Sequence, residues 1–127
     1  MEEGVYDKNN IFAKIIRGEI PAKKVYEDEK VLAFNDIQPA APVHILVVTK
    51  GEYVSFNDFV QKAKAEEVKG FFARIQKIAE EQGLDKNGYR IITNHGSDAS
   101  QSVFHFHVHI IGGRPLGALI PGDTSHR

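Results

Sequence analysis

The chain has no cysteine and no tryptophan among its 127 residues. The absence of cysteine excludes disulfides, thiol nucleophiles and cysteine-ligated zinc or iron–sulfur centres. An excess of one charge is missing as well: sixteen Lys and Arg stand against seventeen Asp and Glu, a formal net charge of −1. Binding to a nucleic-acid backbone or an anionic lipid needs a basic excess or stripe, so neither partner is expected. Long apolar runs are lacking too. The longest uncharged apolar run, 40–49, is about half the ~20 residues of a membrane-spanning helix and contains a histidine. Met1-Glu2-Glu3 is acidic with no apolar segment behind it, so no secretory signal is expected. What is present, 42% apolar and 26% charged residues, fits one soluble domain over 1–127, expected in the cytoplasm. Residues 1–9 are polar and 121–127 carry Pro, Gly and charge, so both ends are expected to be weakly ordered.

Between these ends the hydrophobic pattern predicts α+β architecture. Ile11, Phe12, Ile15 and Ile16 share a helical face, with Asn10 placed to cap the start and Gly18 the end. Residues 24–27 and 31–34 read as strands joined in a hairpin at Asp28-Glu29-Lys30. A β-branched run at 43–49 follows the breaker Pro39-Ala-Ala-Pro42 and predicts a buried central strand. The longest helix is predicted at 65–82, where Val68, Phe71, Phe72, Ile75, Ile78 and Ala79 keep helical spacing before Gly83. Strands are predicted at 89–93 and 104–111, separated by a polar, turn-rich loop at 94–102. The expected sum is a five-stranded, mostly antiparallel sheet with one long helix on a face and a short N-terminal helix.

Chemistry concentrates in His105-Phe106-His107-Val108-His109. Strand alternation puts the three imidazoles on one face and Phe104, Phe106, Val108 and Ile110 on the other. A solvated strand face has no use for three histidines, whereas metal binding and catalysis do. Same-face neighbours lie ~6.6 Å apart, so His105 and His107 could share a metal ion, with His44 as a third ligand. Alternatively, one imidazole is a nucleophile toward phosphorus or an acyl carbon, with the others orienting it and assisting the leaving group. Gly96, Ser97, Ser100 and Ser102, just upstream, form a plausible anion nest.

His105-Phe-His-Val-His109-Ile-Ile111 resembles the His-x-His-x-His-x-x signature of the histidine triad family of nucleotide hydrolases and transferases. The match is closer to its branch of histidine triad nucleotide-binding proteins, through 11–22, 33–37, 41–48 and 94–113 in order. The resemblance implies a purine nucleoside phosphoramidase that cleaves the P–N bond of adenosine or guanosine 5′-phosphoramidates through a nucleotidyl-histidine. It implies no cofactor and no metal, a purine nucleoside monophosphate or phosphoramidate as ligand, and a homodimer that extends the sheet. By the same resemblance His107 is the nucleophile and His109 meets the α-phosphate and leaving group, while His105 and His44 orient His107. Ser102, Ser100, Asn94 and Gln101 would contact the phosphate side, Asp36 the ribose hydroxyls, and Ile11, Phe12, Ile15 and Ile37 the base. The branch carries Gly-Gly where this chain has Ala99-Ser100, which puts the loop's backbone geometry in question. Three alternatives stay open: a metal-dependent hydrolase or metal-binding protein, a nucleotide-binding scaffold with weak hydrolysis, and a dinucleoside polyphosphate hydrolase.

Overall fold

A computed structural model describes residues 5–124. Helix α1 (Ile11–Ile16) begins where the Asn10 side chain accepts from the Ala13 N–H, and Gly18 turns the chain away at φ +81°. Strands β1 (Lys24–Glu27) and β2 (Val31–Asn35) form the expected hairpin, its turn clasped by Asp28 Oδ1, which accepts from Lys30 and Val31 N–H. Strand β3 (Val43–Thr49) follows, then helices α2 (Phe56–Lys62) and α3 (Ala65–Glu81), β4 (Tyr89–Ile92) and β5 (His107–Gly112). The strands lie in the order β1-β2-β3-β5-β4, and every neighbouring pair is antiparallel.

Each face of the sheet is covered differently. Val31, Ala33, Ile45, Val47, Val108 and Ile110 pack beneath α3, through Phe71, Ile75 and Ile78, in the larger core. The alternate residues Leu32, Phe34, Leu46 and Val48 pack on Phe12 and Ile15 of α1. On this second face β5 contributes His107 and His109, so the triad's face is the one that α1 covers.

Three features depart from the sequence pattern. Helix α2 was not signalled by a long apolar period: it is seven residues, started by Ser55, whose side chain accepts from the Asp58 N–H, while Asp58 accepts in return from the Val54 N–H. Strand β5 begins at His107 rather than 104, because the preceding Phe106 N–H goes to the Tyr53 carbonyl at 2.7 Å instead of the sheet. Residues 5–9 are tied down by Tyr6 on His105 and by Arg17 on the Lys8 carbonyl. Of the other expected tail, 121–124 are irregular, and 125–127, like 1–4, lie outside the described residues. Among the described residues, no helix is long and apolar enough to cross a membrane.

Candidate active site

The antiparallel register sets which histidines meet. His44 stands opposite Ile111, while Leu46 stands opposite His109 and Val48 opposite His107. On this face the diagonal neighbour of His44 is His109. Accordingly His44 Nε2 lies 2.9 Å from His109 Nδ1, so the triad ring that His44 hydrogen-bonds is His109, which in turn meets the ring of His107. His105 meets His107 through its main chain, its carbonyl 2.7 Å from His107 Nδ1.

These contacts assign the ring protons, because backbone groups have fixed polarity. The His105 carbonyl only accepts, so His107 carries its proton on Nδ1 and its lone pair on Nε2. The Ala40 N–H only donates, so His44 Nδ1 accepts at 2.9 Å and its proton sits on Nε2. That proton goes to His109 Nδ1, which leaves the His109 proton on Nε2. The result is two imidazoles with ring centroids 5.3 Å apart, one presenting a lone pair and the other an N–H. Asp36 Oδ2 stands 3.4 Å from His44 Nε2, and in this tautomer the contact is a long polar approach rather than an ion pair.

Burial holds the triad neutral. Desolvation pulls His105 down to about 4, with the Thr49 carbonyl opposing and the neighbouring His107 adding to the fall. His109 is likewise lowered to about 4 by burial and then by His107 and His44, against the pull of Asp36. His107 is lowered chiefly by burial, which the His105 carbonyl and Asp36 oppose.

His107 and His109 both line a cavity of about 220 Å³, joined there by Phe12, Asp36, Asn94, Ser100, Gln101 and Ser102. Phe12 meets the His107 ring edge-on at 4.8 Å. Asp36 also lines an adjoining cavity of about 660 Å³ with Ile37, His44, Pro21, Pro39 and Pro42. Asp36 has one oxygen committed to a turn, accepting from the Gln38 N–H, so it is a turn former as well as a cavity wall. Ile37 is 91% exposed. Ile15 is sequestered in the core under α1 and Ile11 stands on the outer surface, and neither lines these two cavities.

The loop differs in detail from the expected anion nest. Gly96 N–H is occupied by Gln101 Oε1, and Gln101 Nε2 donates to the Val54 and Val103 carbonyls. The Gln101 side chain is thus a brace whose polar atoms are spent on backbone, leaving Ser100 and Ser102 as the hydroxyls on the cavity. Ser100 has φ +59°, the only non-glycine with positive φ among the described residues. A left-handed L-residue costs about 1–2 kcal/mol, so Ser100 occupies a conformation that glycine favours. Ser100→Gly is therefore expected to raise stability by about 0.5–1 kcal/mol, after the extra unfolded-state entropy of glycine. A denaturation midpoint shifted upward at constant slope checks this.

The side chains placed to hold a metal ion differ from the expected set. Both ring nitrogens of His105 are committed, to Tyr6 and to the Thr49 carbonyl, so the set His105, His107 and His44 does not form. The donor atoms that converge are those of Asp36, His44 and His109, all within 4.8 Å of one another.

The HIT domain model matches residues 17–116. The chain belongs to the HIT family. A HIT-like protein of Rickettsia prowazekii is 55% identical over 116 residues, which cover 91% of this chain and 97% of that protein. The purine nucleoside phosphoramidase of Escherichia coli K12 is 43% identical over 114 residues, covering 89% of this chain and 94% of the enzyme. Among solved structures, a histidine triad protein from Clostridium difficile superposes with TM-score 0.78 at 47% identity, covering 89% of this HIT chain and 97% of the other. The five-stranded antiparallel sheet with its helices is thus the fold of this family.

Proposed function

We propose that this HIT protein, a member of the nucleotide-binding branch, is a purine nucleoside phosphoramidase. The observation that carries the reading is the tautomer pair: a His107 Nε2 lone pair beside a His109 Nε2–H on one cavity. The likeness to the E. coli phosphoramidase supports the substrate class. In this reading the base lies over Ile37 in the larger cavity, Asp36 accepts from the ribose hydroxyls where the cavities join, and the phosphate enters between the histidines and the serines.

His107 Nε2 attacks phosphorus as the P–N bond of the N-protonated phosphoramidate breaks, so the amine leaves carrying its own proton. Water then attacks the nucleotidyl-histidine, releasing the monophosphate, freeing the imidazole and giving up one proton to solvent. His109 Nε2–H, Ser102 and Asn94 supply donors to the phosphoryl oxygens. The sheet-edge strand β4, with Tyr89 and Ile91 exposed, supports a homodimer whose sheets join there; sedimentation as a monomer at micromolar concentration contradicts that part.

The test is hydrolysis of adenosine 5′-phosphoramidate by the pure protein in excess EDTA, with release of the monophosphate expected. A second reading, a metal-dependent hydrolase, is favoured by the convergence of Asp36, His44 and His109. It requires silence in EDTA and activity restored by zinc.

Acid sensitivity follows from the same pair. Protonation of His107 Nε2 removes the nucleophile, and its pKa lies below the usual 6.5 in the folded protein. The neutral, active form therefore persists as pH falls through 6.5, and kcat/KM is expected to lose half its value only below that pH. An acid limb centred above 6.5 contradicts the assignment.

A further inference from the structure

The segment ahead of α1 reaches the triad from outside the cavity. The Tyr6 hydroxyl lies 2.6 Å from His105 Nδ1, and the two rings meet edge-on with centroids 5.5 Å apart. The other nitrogen, His105 Nε2, lies 2.6 Å from the Thr49 carbonyl, which can only accept. The His105 proton is therefore on Nε2, Nδ1 is an acceptor, and the Tyr6 O–H is the donor. Burial raises the pKa of Tyr6, which keeps that hydroxyl protonated.

His105 is 0% exposed and lines neither cavity, so its ring does not face the reacting atoms. What it offers the site is its carbonyl, the group that holds the His107 proton on Nδ1. Tyr6 is itself anchored. The Asp7 carbonyl accepts from the Asn10 backbone and side chain, and Arg17 holds the Lys8 carbonyl at 2.7 Å. Phe12 continues the strap, edge-on to both His105 and His107.

We propose that Tyr6 is a positioning residue: its hydroxyl locks the His105 ring, and through it the His105 carbonyl that sets the tautomer of His107. The kinetic side of this inference rests on His107 being the nucleophile; the tautomers themselves do not. Without the hydroxyl, Nδ1 becomes a buried acceptor lacking its partner, and a rotated ring that trades the Thr49 bond becomes competitive.

Tyr6→Phe keeps the ring and removes only the donor. On adenosine 5′-phosphoramidate its kcat is expected to fall about tenfold with KM within about twofold of the parent. A variant with a lowered melting temperature but unchanged kcat assigns Tyr6 a structural role alone and overturns the proposal. The second measurement needs neither turnover nor a folded variant. In ¹⁵N-histidine spectra of the parent protein at neutral pH, His105 is expected as the Nε2–H tautomer with a hydrogen-bonded Nδ1, and His107 as the Nδ1–H tautomer. Finding the His105 proton on Nδ1 overturns the inference whether or not the protein hydrolyses phosphoramidates. A parent that shows the expected tautomers but no hydrolysis instead sinks the functional reading and leaves the Tyr6–His105 lock standing.

Discussion

Replacing His107 with alanine is expected to lower kcat on adenosine 5′-phosphoramidate by at least about 10³-fold, because neither of the other triad imidazoles offers a free nitrogen lone pair to the cavity. His109 cannot substitute: its Nδ1 is bonded to His44 and its remaining nitrogen carries a proton. His105 cannot either, with both nitrogens committed. The variant should remain folded, since His107 contributes one ring to the α1 face while the larger core beneath α3 is untouched. Its expected stability loss is about 1–3 kcal/mol, from the Phe12 contact and the vacated His105 carbonyl. Monophosphate binding should survive, because Asp36, Ser100, Ser102 and Asn94 are unchanged. Titration calorimetry with the nucleoside monophosphate beside single-turnover kinetics separates lost chemistry from lost binding. Near-normal turnover by a folded His107→Ala removes the nucleophile assignment.

The second large effect belongs to a residue whose type suggests ligand contact and whose geometry does not. Gln101→Ala is expected to destabilise the protein by about 2–4 kcal/mol, since it strands the Gly96 N–H and the Val54 and Val103 carbonyls together. The same brace pins the serine loop to the segment before α2, so the loop that presents Ser100 and Ser102 loses its anchor. KM should rise about tenfold with a smaller change in kcat. A direct phosphate contact predicts the opposite division: weaker binding with the denaturation midpoint unmoved. Urea denaturation and steady-state kinetics on the one variant distinguish the two roles.

Much of this was legible in the sequence, for identifiable reasons. Alternation along β5 is a local property, so His107 and His109 could be assigned to the face opposite Val108 and Ile110 from their spacing. The Asn10 cap, the Asp28 turn and the stop at Gly83 are likewise written in a few adjacent residues. Register between strands is not local. Whether His44 meets His107 or His109 depends on how β3 slides along β5, and nothing within either strand fixes that offset. Gln101 shows the same limit, because its partner Val54 lies 47 residues away. The short helix α2 did carry a signal in Ser55-Phe-Asn-Asp58, an N-capping pattern too brief for the hydrophobic period to reinforce. Tyr6 carried less: one aromatic ring in an otherwise polar stretch, which becomes informative only beside His105.

The central claim, attack on phosphorus by His107 Nε2, is tested most directly by the stereochemistry at phosphorus. An adenosine 5′-phosphorothioamidate of one configuration is hydrolysed in ¹⁸O-water, and the configuration of the labelled phosphorothioate product is determined. Two in-line displacements, first by His107 and then by water, predict overall retention. Overall inversion would mean a single attack by water and would contradict the nucleotidyl-histidine.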